Sequence, residues 1–186
     1  MDTLQSISAR RSVKVFAPEP VTREQISTLL ETVVAAPNHR MTEPWRFVVV
    51  GPEARETYAS IVADRKAAKC DDEAQAELVR QKAVANATSI PWTIAVIQLL
   101  AQDSAVREED YATVYMGIQN LLLAAVAMGL GTHVKTGGIM DDPRIRTLLG
   151  MEGDERIVAL VQVGFPEAVP DAKPRTPARL RTSWLP

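Results

Sequence analysis

Apolar residues recur at helical spacing early in the chain and gather into unbroken runs later. Thr22-Arg23-Glu24-Gln25 has the form of a capping box, in which the first and fourth side chains bond each other's backbone N–H groups. Apolar residues then follow at intervals of three and four: Ile26, Leu29, Leu30, Val33 and Val34. Pro37 disfavours helical geometry in the residue before it. The pattern therefore predicts a helix from about Thr22 to just before Pro37.

Three runs of β-branched and aromatic residues predict buried strands. They are residues 45–50, which Gly51-Pro52 closes, residues 92–100 and residues 156–164. A shorter run at 132–135 follows the turn Gly129-Leu130-Gly131 and predicts a fourth strand. A sheet of about four strands is a common size.

Helical patterns separate these strands. From about Glu108 to Met128 the pattern predicts a long helix whose second half is apolar on nearly every face, as in a buried helix. Asp142-Pro143 begins a shorter helix that ends at Gly150. Residues 53–87 are charged and alanine-rich with little apolar periodicity, so we expect an exposed, lid-like helical excursion there. Five prolines within 166–186 predict an extended tail. These elements predict an α+β fold with a mixed central sheet of about four strands flanked by helices.

Length and composition limit the class of protein. A chain of 186 residues is sufficient for one domain with a substantial core, so we predict a single domain over 1–186. A net charge of -2 argues against a general nucleic-acid binder. Cys70 is the single cysteine, which excludes an intramolecular disulfide and favours a reducing compartment. The first residues lack a secretory pattern and no apolar run reaches membrane-spanning length, so we expect a cytoplasmic protein.

Common catalytic motifs do not fit this sequence. Gly129-Leu130-Gly131 follows a predicted helix, and Val134 stands where a dinucleotide fingerprint needs its third glycine. No glycine-rich loop ends in Gly-Lys-Ser or Gly-Lys-Thr, and no serine sits in a Gly-x-Ser-x-Gly elbow. His39 and His133 lack the partner spacing of a zinc site, so we expect no metal.

A basic cluster, Arg10-Arg11-Ser12-Val13-Lys14, follows the short opening helix. Guanidinium groups offer a fork of donors that matches phosphate oxygens, and a serine hydroxyl adds a short-range donor. The cluster is therefore a candidate anion site. Basic residues at a helix end also complement the helix dipole and are often simply solvated. Taken alone, the cluster favours the second interpretation, a solvated helix end.

Several motifs together resemble the FMN-dependent nitroreductase superfamily. They are Arg-x-Ser-x-Lys-x-Phe at 10–16, Pro-Trp-Arg-Phe-Val-Val-Val at 44–50, Gly-Ile-Gln-Asn-Leu-Leu-Leu-Ala-Ala at 117–125, and Val-Gly-Phe-Pro at 163–166 before a basic tail. The resemblance covers essentially the whole chain. Ala36-Pro37-Asn38-His39 is typical of the small bacterial NAD(P)H nitroreductases within that superfamily.

The resemblance implies which residues bind FMN. Arg10 and Ser12 would hold the phosphate or ribityl chain, and Lys14 would lie near the N1–O2 edge of the ring, where a cation favours reduction. A backbone amide in Lys135-Thr136-Gly137-Gly138 would bond N5. The remaining implied cofactor contacts are Arg11, whose role stays unassigned, Pro37, Asn38, His39, Lys173 and Arg175.

Some of these assignments have alternatives. Lys173 and Arg175 match a Lys-x-Arg pair that contacts the phosphate in the family, but a solvated basic tail explains them nearly as well. In the 37–45 loop, Met41 and Glu43 stand where most members carry asparagine and glutamine. These two departures weaken a direct transfer of side-chain contacts, so Asn38 and His39 would take over the flavin contacts.

The resemblance also implies an activity and an assembly. It predicts a flavin oxidoreductase that moves a hydride from NADH or NADPH through FMN to a small nitroaromatic or quinone acceptor by a ping-pong mechanism, with no protein side chain as catalytic acid. Two subunits would intertwine as a homodimer with flavin sites at their interface. The alternatives are a specialised FMN enzyme, such as a reductive dehalogenase, and a non-catalytic FMN-binding or storage dimer.

Overall fold

A computed structural model describes residues 1–185; Pro186, the end of the predicted tail, lies outside them. Its α-helices are α1 (Thr3–Ala9), α2 (Arg23–Val34), α3 (Pro52–Ala67), α4 (Glu73–Thr88), α5 (Ser104–Ala127) and α6 (Pro143–Leu148). Its strands are β1 (Trp45–Val50), β2 (Trp92–Leu99), β3 (Gly131–Lys135) and β4 (Glu155–Gly164). Short 3-10 turns span Gly138–Asp141 and Ala178–Arg181.

Side-chain caps fix where the helices begin. The predicted capping box of α2 is present: Gln25 N–H donates to Thr22 Oγ1 at 3.2 Å, and Thr22 N–H donates to Gln25 Oε1 at 2.9 Å. α5 begins four residues earlier than predicted, because the Asp103 carboxylate accepts from two backbone N–H groups of its first turn.

The sheet has the order β1-β2-β4-β3, and every neighbouring pair is antiparallel. This agrees with the predicted α+β class and with about four strands. The parallel pairing in the described range is an isolated bridge between Ser12 and Thr132, so the sheet is mixed only through that bridge.

Helices cover both faces of the sheet. One face packs against α2 and α5 through a core that contains Leu29, Leu121 and Val161. The other packs against α3 and α6 through Ile97, Ile145 and Leu160. α2 and α5 approach so closely that a Cβ on Gly117 would lie 2.6 Å from the side chain of Val33. The predicted buried helix is thus the centre of one layer.

The 53–87 segment differs from the exposed excursion expected of it. It forms two helices, α3 and α4, and α3 buries Tyr58, Ile61 and Val62 against the sheet. The core-facing positions of α4 are alanines, so it buries little apolar volume: Ala76, Ala83 and Ala87. Alanine-rich packing hides the helical period that larger apolar residues would reveal.

In the range that the structure describes, the tail beyond Phe165 is largely exposed and contains one 3-10 turn. None of the helices in the described part of the chain combines the length and apolar composition that a membrane span needs.

Candidate functional site

The basic segment runs alongside strand β3. Ser12 forms the parallel bridge to Thr132, and Val13 N–H donates to Thr132 O at 2.9 Å. Val13 is buried and lies so close to Gly131 that a Cβ there would come within 2.9 Å of its side chain. Because side chains alternate in extended backbone, Ser12 and Lys14 then point together to the exposed side.

The basic segment and the start of the tail enclose a cavity of about 740 Å³. Backbone bonds hold the two together: Ala17 N–H donates to Phe165 O at 2.8 Å and Glu167 N–H to Val15 O at 3.2 Å. The cavity brings together six of the predicted binding residues: Arg10, Arg11, Ser12, Lys14, Lys173 and Arg175. Five of these are cationic, against two acidic residues in the lining, Glu167 and Asp171. This excess of positive charge favours an anionic ligand.

Arg11 has a local structural role that the sequence did not reveal. Its Nη1 donates to Ser8 O at 2.6 Å and to Arg10 O at 2.9 Å, which satisfies carbonyl groups at the end of α1. Its Nε is buried without a hydrogen-bond partner within residues 1–185. A contact between Arg11 and a cofactor stays a prediction.

The loop after β3 contains the second predicted group, Lys135 to Gly138. Gly137 has a φ of +110°, which favours glycine. Gly138 lies directly against the guanidinium of Arg65 from α3. Lys135 is half-buried, and this burial, together with the charge of nearby Lys66, lowers the pKa of Lys135. The loop thus pairs an open glycine backbone with closely spaced cations.

His133 lies on the same face of β3 as Lys135 but was not among the predicted binding residues. Its Nδ1 is 3.1 Å from Gln162 Oε1 on β4. Burial lowers the pKa of His133, the bond to Gln162 opposes this, and the charges of Lys135 and Lys14 lower it further. These effects favour a neutral imidazole at pH 7. His133 lies two residues before Lys135, a spacing that places both side chains on one face of a strand. This spacing is the feature of the sequence from which His133 could have been predicted.

The third predicted group, Pro37, Asn38 and His39, belongs to a loop fixed on α5. His39 Nδ1 lies 3.3 Å from Glu109 Oε2, and Thr42 Oγ1 donates to the buried carboxylate of Asp110 at 2.6 Å. Asn38 Oδ1 accepts from the backbone N–H of Glu43 at 2.8 Å. The side chain of Asn38 therefore holds the loop in shape.

Two residues of this loop have left-handed backbone conformations. Met41 has φ 50° and Glu43 has φ 47°. Such values are uncommon for residues other than glycine and asparagine, and holding them costs on the order of 1 kcal/mol each. The hydrogen bonds of Asn38 and Thr42 offset this strain. The loop is thus a rigid surface feature, with Met41 exposed at its tip.

Within one chain this loop lies far from the basic cavity. Thr132 beside Ser12 pairs with Val163, which pairs with Trp92 at the start of β2. The loop is held at the other end of that strand, where Leu99 N–H donates to Pro44 O. At about 3.3 Å per residue, β2 separates the two by roughly 23 Å. One copy of the chain therefore does not bring the three predicted groups into one site.

Comparison with known proteins assigns the family. The family model described as "Nitroreductase family" matches residues 7–165, which includes the basic segment, the 37–44 loop and the loop after β3. The chain belongs to the nitroreductase family. The predicted resemblance is thereby confirmed, and the fold agrees with it.

Individual relatives of this nitroreductase-family chain cover nearly all of it. The Bacillus subtilis protein named "Putative NAD(P)H nitroreductase YfhC" is 35% identical over 94% of this chain and 90% of its own length. A "NADPH-flavin oxidoreductase" of Vibrio harveyi is 29% identical over 96% of this chain and 72% of its own length. A solved structure of a nitroreductase-like family protein from Bacillus cereus is 27% identical, with a TM-score of 0.87 over 100% of this chain and 96% of that one.

In the described part of the chain, no three or more His, Cys, Asp or Glu side chains are grouped so as to hold a metal ion. Around the basic cavity and the loop after β3, the polar groups are mainly cations, hydroxyls and backbone amides. Such groups bind and polarise an anionic, organic cofactor.

Proposed function

We propose that this protein is an FMN-dependent oxidoreductase that transfers reducing equivalents from NADH or NADPH to a small nitroaromatic or quinone acceptor. The observation that carries the proposal is the cavity in which Arg10, Ser12, Lys14, Lys173 and Arg175 meet. Membership of the nitroreductase family supports the same activity. FMN, when bound, would supply hydride chemistry at N5 and two-electron transfer to the acceptor, in a ping-pong order.

The cavity residues fit a phosphate-bearing cofactor. Arg10 offers a guanidinium fork, Ser12 a hydroxyl donor, and Lys173 with Arg175 brings further positive charge from the tail. A cavity of about 740 Å³ is within the usual range for sites that hold a cofactor of this size. We assign the phosphate and ribityl chain to these residues.

Lys14 and the loop after β3 would act at the ring of the cofactor. Lys14 is exposed and lies next to β3, so its ammonium group is available to the N1–O2 edge, where it would favour the negative charge that reduction adds. Gly137 has no Cβ and nothing lies within 4 Å of where one would be, which leaves space there for a backbone amide of Gly137 or Gly138 to approach N5. No side chain in this proposal is a catalytic acid.

We also propose a homodimer with a site at each interface. The loop with Pro37, Asn38 and His39 and the basic cavity are separated within one chain, so a shared site needs a second copy. Apolar side chains on the outer surface support this: Leu4 of α1 is 78% exposed and Met116 of α5 is 42% exposed. A two-fold pairing would cover them and give two equivalent sites.

The proposal places the protein in the cytoplasm, where NADH and NADPH are supplied. Its single cysteine, Cys70, is a free thiol, which is compatible with a reducing compartment.

One spectroscopic titration tests the activity. Purified protein is incubated with FMN, separated from free FMN and treated with NADPH or NADH without oxygen. We expect a flavin absorbance that NADPH or NADH bleaches and that a quinone or nitroaromatic restores. A protein that takes up no FMN would contradict the proposal. FMN that is bound but not bleached indicates a storage protein. Restoration by a halogenated aromatic alone indicates a reductive dehalogenase.

A paired substitution tests the site. Arg10→Ala with Ser12→Ala removes the two predicted phosphate donors, so we expect FMN to bind at least about tenfold more weakly. Lys14→Ala should leave FMN bound and mainly slow its reduction. Arg23→Ala, an exposed arginine of α2 outside the basic cavity, is the matched control. Unchanged FMN affinity in the double variant would contradict the phosphate assignment.

A further inference from the structure

We propose that Arg65 is a positioning residue of the cofactor site, and that its guanidinium fixes the loop Lys135 to Gly138 against helix α3. The inference rests on the proposed function, because that function assigns this loop to the cofactor ring. It also gives the 53–87 segment a defined connection to the site. Arg65 acts through the loop and does not itself contact the cofactor.

The guanidinium of Arg65 reaches both ends of the 3-10 turn that follows the loop. Its Nη2 would lie 2.8 Å from a Cβ on Gly138, the first residue of that turn. Its Nη1 lies 3.4 Å from Oδ2 of Asp142, the residue just after the turn. Arg65 therefore bridges the turn, because one nitrogen of its guanidinium lies at each end of the turn.

Asp142 gives the guanidinium of Arg65 a fixed hydrogen-bond acceptor. Its side chain is only 6% exposed and accepts from the backbone N–H of Arg144 at 2.9 Å and from Nη2 of Arg144 at 3.1 Å. Arg144 in turn donates to Asp64 on α3 at 2.9 Å. These bonds fix the carboxylate from two sides, so Arg65 is held against a group that does not move independently of α3 and α6.

The second half of the loop, Gly137 and Gly138, has no side chains that could hold it. Gly137 has φ +110° and nothing within 4 Å of where its Cβ would be, and Gly138 follows it. Consecutive glycines have more backbone freedom than any other pair of residues. Met140 N–H donates to Gly137 O at 3.0 Å, which closes the turn, and the side chain that meets Gly138 is that of Arg65.

The next residue of α3, Lys66, places a second charge near the other end of the loop. Lys66 lies near enough to Lys135 to lower the pKa of that half-buried lysine, after the larger effect of burial. The last turn of α3 thus faces the loop at both Lys135 and Gly138. A displacement of α3 would be passed on to the backbone that is assigned to N5.

Hydrogen exchange in the cofactor-free protein tests the positioning directly. Arg65→Gln keeps a long polar side chain but removes the charge and the fork. We expect amides of residues 136–140 to exchange about tenfold faster than in the unsubstituted protein. Arg55→Gln is the matched control, because Arg55 is a half-buried arginine near the opposite end of α3, where it donates to Thr88 O at 3.1 Å and to Pro91 O at 2.8 Å. Equal exchange in the two variants would overturn the proposal.

The FMN-loaded protein provides the second measurement. In Arg65→Gln we expect flavin reduction by NADPH to slow about five- to tenfold, because small errors in the placement of a reacting group are costly. FMN affinity should change less than about threefold, since the phosphate residues are untouched. A loss of FMN affinity with an unchanged reduction rate would show a general structural role and overturn the proposal.

A second variant tests whether Arg65 acts through Gly138. Gly138→Ala places a Cβ 2.8 Å from Nη2 and should displace the guanidinium. If both residues act through one contact, combining Gly138→Ala with Arg65→Gln should slow reduction no more than the worse single variant does. Multiplying effects would contradict the shared contact. Gly153→Ala is the matched glycine control, because a Cβ there meets nothing within 4 Å.

These outcomes are separable from failure of the proposed function. If the unsubstituted protein takes up no FMN, the proposed function is wrong, while the exchange measurement still decides whether Arg65 fixes the loop. If that protein is active and Arg65→Gln matches it in both exchange and reduction rate, only the inference about Arg65 fails.

Discussion

The buried carboxylate of Asp142 makes three stabilising contacts. It caps α6 by accepting from Arg144 N–H, it pairs with the side chain of Arg144, and it anchors Arg65. The hydrogen bonds from Arg144, opposed by burial and supported by Arg65, lower the pKa of Asp142 to about 2 from an ordinary 3.8. The folded state therefore favours the charged carboxylate more than the unfolded chain does.

This lowered pKa predicts a pH-dependent contribution to stability. Since the folded pKa lies below the unfolded one, the contribution is complete above about pH 5 and is lost as the pH falls towards about 2. Asp142→Asn should therefore lower the free energy of unfolding near neutral pH, and the difference from the unsubstituted protein should shrink on acidification. Urea unfolding across this pH range measures it, with Asp141→Asn, an exposed neighbour, as control. A pH-independent difference would contradict the assignment.

Single residues show where sequence reasoning succeeds and where it stops. Arg10, Ser12 and Lys14 are close in sequence, so their spacing alone places them on one extended segment. Arg65 lies about seventy residues before the loop Lys135 to Gly138 that it contacts, and only the packing of α3 against the sheet brings the two together. The left-handed backbone of Met41 was equally hidden, because neither composition nor spacing marks it.

Strands and helices were predictable from the sequence where residues of one type follow one another without interruption. β1 has the bounds expected from its aromatic and β-branched run, because such residues fit a pleated strand. It was predicted to be buried, but it lies at the edge of the sheet, and of its six residues only Val50 is buried. The prediction of an exposed 53–87 segment was wrong for α3, whose buried face consists of Tyr58, Ile61 and Val62 among alanines. Alanine allows helices to pack closely but gives only a weak apolar periodicity in the sequence.

The difference in buried side chains between α3 and α4 predicts that the two helices differ in local stability. α3 buries large side chains in the sheet core, whereas the buried residues of α4 are alanines, which offer little apolar area. We expect amides of α4 to exchange faster than those of α3 by about tenfold or more, as local opening of α4 costs less. Hydrogen exchange with mass spectrometry resolves the two helices. Equal protection would contradict this expected difference; that residues 53–87 act as a lid stays a prediction.

At the scale of the whole molecule, one chain keeps two of the three predicted groups of site residues apart. The basic cavity lies at the end of the sheet where β2 begins, and the rigid 37–44 loop lies where β2 ends. Both groups are well formed in the single chain: the loop by its own hydrogen bonds, the cavity by backbone bridges. Two preformed halves, each with an exposed outer surface, favour assembly across an interface over closure within one chain.

Mixing two defective variants tests this assembly. One variant carries Arg10→Ala with Ser12→Ala in the cavity, and the other carries Asn38→Ala with His39→Ala in the loop, so each homodimer has two damaged sites. In a heterodimer, the cavity of the second variant meets the loop of the first, and one site is intact. Unfolding and refolding the variants together in equal amounts should make about half of the dimers heterodimers, which restores roughly a quarter of full activity. Refolding each variant alone is the control. If the mixture is no more active than the separate variants, the two groups do not share a site across two chains.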